Sequence, residues 1–381
     1  MPADLTEQSR LVQDTARAFA AKELRPQASH WDEHKIFPKD VLRRAAELGF
    51  AGIYVGEDMG GSGLTRLDAA LVFEELAKGD VTTAAFLSIH NMASWMIDRF
   101  GSPEQRQRWL PKLTRMELIA SYCLTEPNSG SDAAALRTRA QADGNAYYRL
   151  NGAKAFISGA PESDLYVCMV RTGEDGPRGI STLVIEKDSP GLSFGAQEKK
   201  MGWNAQPTAQ VIFEDCRVPV DNRLREEGYG FKIAMQGLDG GRLNIAATSL
   251  GGASEAFDRA MRYSREREAF GKAIGDFQAT QFKLADMATD LEAARLFLYE
   301  AARRLDAKDP EATKFCAMAK RFVTDAGFRV ANEALQIHGG YGYLKDYEVE
   351  RIVRDVRVNQ ILEGTNEIMR VIIARELMRA Q

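Results

Sequence analysis

Residues 118–132 read LIASYCLTEPNSGSD, and the character of the chain changes inside them. The run LIASYCL (118–124) is short and apolar, which predicts a strand. It opens into a loop dense in small hydroxyl residues, Thr125, Ser129 and Ser131, around Gly130. Downstream, the runs YYRLNG (147–152), DLYVCMV (164–170), ISTLVIE (180–186) and TAQVIFEDC (208–216) are separated by turn residues: Asp143-Gly144, Asn151-Gly152 and Pro190-Gly191. Strands at that spacing predict a small antiparallel barrel or sandwich over residues 118–226.

Working outward, both flanks read as helices. Upstream, Pro38 predicts a first helical turn and Gly49 ends the run PKDVLRRAAEL. Thr65 with Asp68, and Ser102 with Gln105 behind Pro103, are capping patterns. Downstream, residues 276–305 and 311–340 carry apolar residues at helical spacing, the second run ending at Gly339-Gly340. Helices this long must bury a face, in a bundle or a subunit interface. The expected architecture is α+β, with a helical part at 1–117, a β part at 118–226 and a helical bundle at 227–381.

Composition narrows the function. The 381 residues carry a net charge of −4 and 45% hydrophobic residues, the balance of an ordinary globular chain. The absence of a basic domain argues against nucleic-acid binding. The uncharged run Val81–Ile97 holds too many polar residues for a membrane span. The N-terminus MPADLTEQSR reads as neither a signal nor a transit peptide. The expected location is therefore the cytoplasm of a bacterium, or the mitochondrial matrix for a processed form. The cysteines Cys123, Cys168, Cys216 and Cys316 are widely spaced and read as buried small hydrophobes in a reducing compartment. The sequence holds no GxGxxG dinucleotide loop, P-loop, HExxH or GxSxG. Its four histidines leave little material for a His-based site, and His30 and His34 read as solvent-facing.

Two segments carry the chemistry. The loop Tyr122–Asp132 can bring backbone N–H groups and hydroxyls to a planar polar ligand or a phosphate. It can equally be a surface turn with local hydrogen bonds. The second segment is QILEGTNEIMRVIIAREL (360–377). Glu363 follows an apolar, strand-like run and precedes Gly364. Desolvation there would raise its pKa toward that of a general base. Alternatively, Glu363 is a helix-entry acid favoured by the macrodipole.

At these segments the chain resembles the acyl-CoA dehydrogenase family. CLTEPNSGSD (123–132) matches one family signature, and the region from HGGYGYLKDY (338–347) through QILEGTNEIMR (360–370) matches another. The likeness covers essentially the whole chain. It implies an N-terminal helical domain, a middle antiparallel β-barrel and a C-terminal four-helix bundle. It also implies non-covalent FAD, which accounts for the missing GxGxxG. By this resemblance Leu124, Thr125, Phe156, Ile157 and Ser158 meet the flavin. Arg267, Phe270, Gln278, Gln336, Gly339 and Gly340 reach the FAD of a neighbouring subunit, and Thr365 and Glu367 complete the cofactor site. Arg267 could also be part of a solvated charged face. Ser131, Asp239, Arg242 and Arg375 lie toward the CoA, with Leu362 beside the acyl chain.

Glu363 falls at the family's catalytic-base position. Other members carry the base at the fourth residue of the segment equivalent to LDGGR (238–242); Gly241 stands there and cannot act as one. The implied reaction is α,β-dehydrogenation of a short branched acyl-CoA. KMGWNAQPTAQVIFEDCRVP (200–219) and LDGGRLNIAATSLGGA (238–253) point within the family to isobutyryl-CoA, giving methacrylyl-CoA. Electrons would pass to an electron-transferring flavoprotein, and the implied assembly is a homotetramer. A butyryl- or 2-methylbutyryl-CoA dehydrogenase, an acyl-CoA oxidase and a non-catalytic acyl-CoA-binding flavoprotein are the alternatives.

Overall fold

The computed structural model describes residues 5–379, so the first four residues of the N-terminal stretch read above lie outside it. The N-terminal helices are α1 (Glu7–Phe19), α2 (Ala28–His34), α3 (Lys39–Glu47), α4 (Arg66–Gly79), α5 (Val81–Phe100) and α6 (Pro103–Leu113). Both predicted capping boxes form: Thr65 and Asp68 close the start of α4, and Ser102 and Gln105 the start of α6. Pro38 is the residue before α3 rather than inside its first turn. The uncharged run lies within α5, which is buried on nearly every side, its polar residues included. No helix among the described residues is long and apolar enough to cross a membrane.

The middle strands are β1 (Ala120–Cys123), β2 (Arg139–Asp143), β3 (Tyr147–Ser158), β4 (Leu165–Arg171), β5 (Ile180–Glu186), β6 (Leu192–Phe194), β7 (Thr208–Pro219) and β8 (Arg223–Leu224). They form one sheet in the order β6-β7-β3-β2-β4-β5-β8, with β1 also on β4. This corrects the expected antiparallel barrel in two ways. The two ends of the order, β6 and β8, are not paired with each other, and the sheet is mixed. β1 runs parallel to β4 over residues 165–168, and β2 is parallel to β4 at Arg171. The loop between β1 and β2 returns the chain to the same edge of β4 in the same direction, which no local turn signal encodes. Asn151-Gly152 is likewise not a turn. It lies within β3, where the register against β7 shifts between Leu150 and Gly152 and Gly152 takes φ 142°, a bulge suited to glycine.

The C-terminal part holds α7 (Gly230–Glu266), a hairpin of β9 (Glu268–Ala269) and β10 (Lys272–Ala273), then α8 (Gln278–Asp306), α9 (Ala312–His338), α10 (Val349–Arg357) and α11 (Asn366–Arg379). The C-terminal part is helical as expected, with three long helices and the shorter α11 packed on α9. α7, α8 and α9 pack together, and α4 from the N-terminal helices lies against α7 and α8. Glu74 on α4 seals that junction, accepting from Arg295 at 2.9 Å and from Tyr299 at 2.7 Å. The N- and C-terminal helices thus share one apolar core, including Phe50, Leu71, Phe73, Leu250, Leu298 and Val323. A second core joins α5, α6, the sheet and α7 through Met92, Met96, Trp109, Val167, Ile233 and Leu238.

Candidate active site

Glu363 lies in the loop between α10 and α11, after a turn of 3₁₀ helix at Val358–Gln360 in place of the strand-like run expected there. Its φ is 57°, in the left-handed region that a non-glycine residue seldom adopts. The loop is held from beneath. Lys320 on α9, fully buried, donates to Gly364 O at 2.8 Å and Asn366 Oδ1 at 2.9 Å. Arg242 Nε on α7 donates to Glu363 O at 3.4 Å. Thr365 Oγ1 caps α11 by accepting from Ile368 N at 3.3 Å.

The Glu363 side chain points at α7. A Cβ on Gly241 would lie 2.9 Å from Glu363 Cδ and from Met92 Sδ. Gly241 is therefore glycine because the carboxyl occupies the space a side chain would need. Oε2 is out of solvent and has no hydrogen-bond partner among the described residues. Burial pushes the Glu363 carboxyl up to about 7, against the opposing charges of Arg242 and Lys320. A helix-dipole acid would be shifted the other way, so of the two sequence readings the desolvated carboxyl is the one observed. Lys320 is itself pushed down to about 7 by burial.

Asp239 and Arg242 pair with each other at 2.7 Å, and Thr313 donates to Asp239 at 2.8 Å. Their charges are matched inside the protein, and Arg242 sits beneath the Glu363 loop. Arg375 is exposed and paired with its neighbour Glu376 at 3.2 Å. Ser131 and Glu367 are exposed, and Leu362 is half-buried.

The first signature forms a continuous surface with the end of β3. Ala155 N donates to Thr125 O at 2.8 Å, and Ser121 Oγ donates to Ser158 O at 2.5 Å. Leu124, Thr125, Phe156, Ile157 and Ser158 are thus brought together. The loop beyond is braced by a buried ion pair, Lys154 to Glu126 at 2.8 Å, while Glu126 also accepts from Arg137 N and Thr138 N. Ser129 is spent within the loop, donating to Asp132 O at 2.6 Å, as the surface-turn reading expects. Phe156 is 67% exposed at φ 58°, an apolar ring facing outward from a strained strand position.

Arg267, Phe270, Gln278, Gln336, Gly339 and Gly340 form a separate, exposed group on the β9–β10 hairpin and the adjoining helix ends. Arg267, Gly339 and Gly340 line a cavity of about 360 Å³ with Tyr263, His338 and Tyr341. Sequence reasoning gave Tyr122, Trp203 and Gln206 no role of their own. Tyr122 OH, Trp203 Nε1 and Gln206 Oε1 are all buried without a partner. Nothing local in the sequence marks them, because their isolation arises from elements far apart in the chain.

Three family profiles match in order: "Acyl-CoA dehydrogenase, N-terminal domain" at residues 6–117, the middle domain at 121–216 and the C-terminal domain at 228–378. The chain belongs to the acyl-CoA dehydrogenase family. Members of this family are flavin-dependent oxidoreductases. The chain is 57% identical to a mitochondrial isobutyryl-CoA dehydrogenase of Dictyostelium discoideum, over 98% of this chain and 90% of that protein. It is 55% identical to the isobutyryl-CoA dehydrogenase of Bos taurus over the same shares. Among solved structures, butyryl-CoA dehydrogenase from Megasphaera elsdenii superimposes with a TM-score of 0.96 at 39% identity, covering all of both chains.

The acyl-CoA dehydrogenase cofactor, FAD, has a matching surface here. Beside the Thr125–Phe156 surface, Gln206 donates to Ser158 Oγ at 2.8 Å, and its own Oε1 is left unpaired and buried. Hydroxyls, backbone groups and an unmatched amide around an outward-facing Phe suit a flat ring system with polar edges.

Proposed function

We propose that this acyl-CoA dehydrogenase converts isobutyryl-CoA to methacrylyl-CoA, with Glu363 as the base. The observation that carries the reading is the Glu363 carboxyl: dry, unpartnered at Oε2, and facing a glycine of α7. A carboxyl of this kind, pushed up to about 7, is ionised enough to accept a proton and basic enough to hold it. The substrate is inferred from the isobutyryl-CoA dehydrogenase relatives.

In this mechanism Glu363 Oε2 removes the α-proton of the thioester. Such a proton is far less acidic than a carboxylic acid, so charge developing on the thioester oxygen needs fixed donors. The Glu363 N–H has no acceptor among the described residues and is the donor on this chain. Arg242 and Lys320 hold the loop so that the N–H and the carboxyl address one bound thioester. Closure of α5 and α7 over the acyl chain keeps water from Glu363. FAD, held by Leu124, Thr125, Phe156, Ile157, Ser158, Thr365 and Glu367, supplies the acceptor of the β-hydrogen as hydride.

The same reading places Ser131 and Arg375 toward the CoA, with Asp239 and Arg242 beneath it. It takes residues 1–117, 118–226 and 227–381 as three parts serving one site. Arg267, Phe270, Gln278, Gln336, Gly339 and Gly340 serve the cofactor of a neighbouring subunit in a homotetramer. Phe270, 96% exposed in the single chain, is an apolar ring that such an assembly would cover. An electron-transferring flavoprotein takes the electrons. The test is anaerobic bleaching of the visible flavin band. Isobutyryl-CoA should bleach it faster than butyryl- or 2-methylbutyryl-CoA, and Glu363→Gln should retain the flavin yet bleach orders of magnitude more slowly. Near-wild-type bleaching by that variant would remove Glu363 as the base.

A further inference from the structure

Two helix faces lead away from Glu363. Ala85, Ile89 and Met92 fall at spacings of four and three on α5, and Gly241 and Ile245 at a spacing of four on α7. Each set shares one helix face. Met92 Sδ and the Glu363 carboxyl both lie over Gly241. Ile245, about 6 Å further along α7 from Gly241, and Ala85, about 10 Å further along α5 from Met92, pack instead with Trp203, Val358 and Leu362 in a small apolar cluster separate from the main cores. Leu362 adjoins Glu363 in the chain, so this cluster and the base belong to one neighbourhood.

Trp203 is set there with unusual firmness. It lies on the segment between β6 and β7, takes φ 54° and is 5% exposed. Its backbone N–H donates to Asp355 Oδ1 on α10 at 2.6 Å. The preceding Gly202 must be glycine, since a Cβ would lie 2.6 Å from Arg354 O. Thus α10 clamps the backbone on both sides of the Gly202–Trp203 bond. The indole N–H is buried without an acceptor, so the ring is placed there by packing rather than by a hydrogen bond.

We propose that the Trp203 indole is the end wall of the acyl pocket and limits this enzyme to short chains. The inference rests on Glu363 being the base, since that fixes the other end of the pocket. In this reading the separation of Glu363 from the ring sets the acyl length, and a chain longer than the short branched one meets the indole. Leu362, Ala85 and Ile245 form the sides.

The test is a graded series in the flavin-loaded enzyme: Trp203→Phe, Trp203→Leu and Trp203→Ala, each checked for flavin content and melting temperature. Each is bleached by isobutyryl-, 2-methylbutyryl-, hexanoyl- and octanoyl-CoA. Because one methylene in an apolar pocket is worth about 10- to 200-fold, the hexanoyl-to-isobutyryl ratio of kcat/KM should rise at least tenfold in Trp203→Leu and less in Trp203→Phe. A merely structural role would slow all four esters together. A second, equilibrium readout is the affinity of hexanoyl-CoA for Glu363→Gln with and without Trp203→Leu, which should tighten with the second substitution. A ratio unchanged within threefold in folded Phe and Leu variants overturns the wall while leaving the base reading intact. A wild type that no acyl-CoA bleaches overturns both. Rapid bleaching by Glu363→Gln, together with a ratio that still shifts, overturns the base alone.

Discussion

Glu363 and Asp355 are two carboxyls pushed up to about 7 by the same cause, burial. Their surroundings differ. Asp355 is fully buried and serves the fold: it accepts from Trp203 N at 2.6 Å, from Thr82 Oγ1 at 3.4 Å, and lies 3.9 Å from Arg351. Arg351 in turn pairs with Asp80 at 3.1 Å, and Asp80 caps α5 by accepting from Thr83 N. The Glu363 loop is held through its backbone, and its carboxyl fills the space over Gly241. A raised pKa alone therefore does not mark a base. What distinguishes Glu363 is a buried carboxyl oxygen left without a partner, packed against a glycine.

The largest expected effect tests that distinction directly. Glu363→Gln should slow flavin reduction by about 10³- to 10⁴-fold, whereas Asp355→Asn, which keeps an acceptor for Trp203 N, should slow it less than about tenfold. Stopped-flow bleaching checks both, and equal losses would break the comparison. Next, Asp80→Ala leaves Arg351 with only the distant Asp355. Removing one partner of a buried pair should cost about 3–5 kcal/mol, read by chemical denaturation, with little change in the reductive step of the folded enzyme. Gly241→Ala should act on the other region. Its methyl would press on the Glu363 carboxyl and Met92 Sδ, at about 1–3 kcal/mol of overpacking, and bleaching should slow while flavin content holds.

The smallest effects concern pH. Glu363 acts deprotonated, so kcat/KM should rise with pH through about 7 and level off above it. The Lys320 charge lowers the Glu363 pKa, so Lys320→Met should move that rise to higher pH. For stability the sign is opposite. Asp355 keeps its proton up to about 7 when folded but loses it near 3.8 when unfolded, so the folded state binds more protons between those values. Its contribution is present at low pH and is lost as pH rises toward 7. Asp355→Asn should flatten that part of the denaturation profile; an unchanged profile would mean that Asp355 is not the group responsible.

Much of this was legible in the residues. The capping boxes at Thr65 and Ser102 are local hydrogen-bond patterns, and they form as read. The switch from helical to strand spacing near residue 118 locates the sheet, and the signatures around Leu124 and Glu363 identify the family. The local reading failed where partners are distant. Gly152 looks like a turn residue but is a bulge imposed by β7, and the parallel placement of β1 on β4 has no sequence signal of its own.

By itself, then, the sequence determined the order of helices and strands, their caps and the family, because each depends on residues close together in the chain or on long contiguous signatures. Only the tertiary structure decided which carboxyl is buried and unpartnered, and which glycine makes room for it. Burial and pairing are sums over neighbours: Glu363 takes its environment from Gly241, Met92, Arg242 and Lys320, on three helices that meet only when the chain is folded.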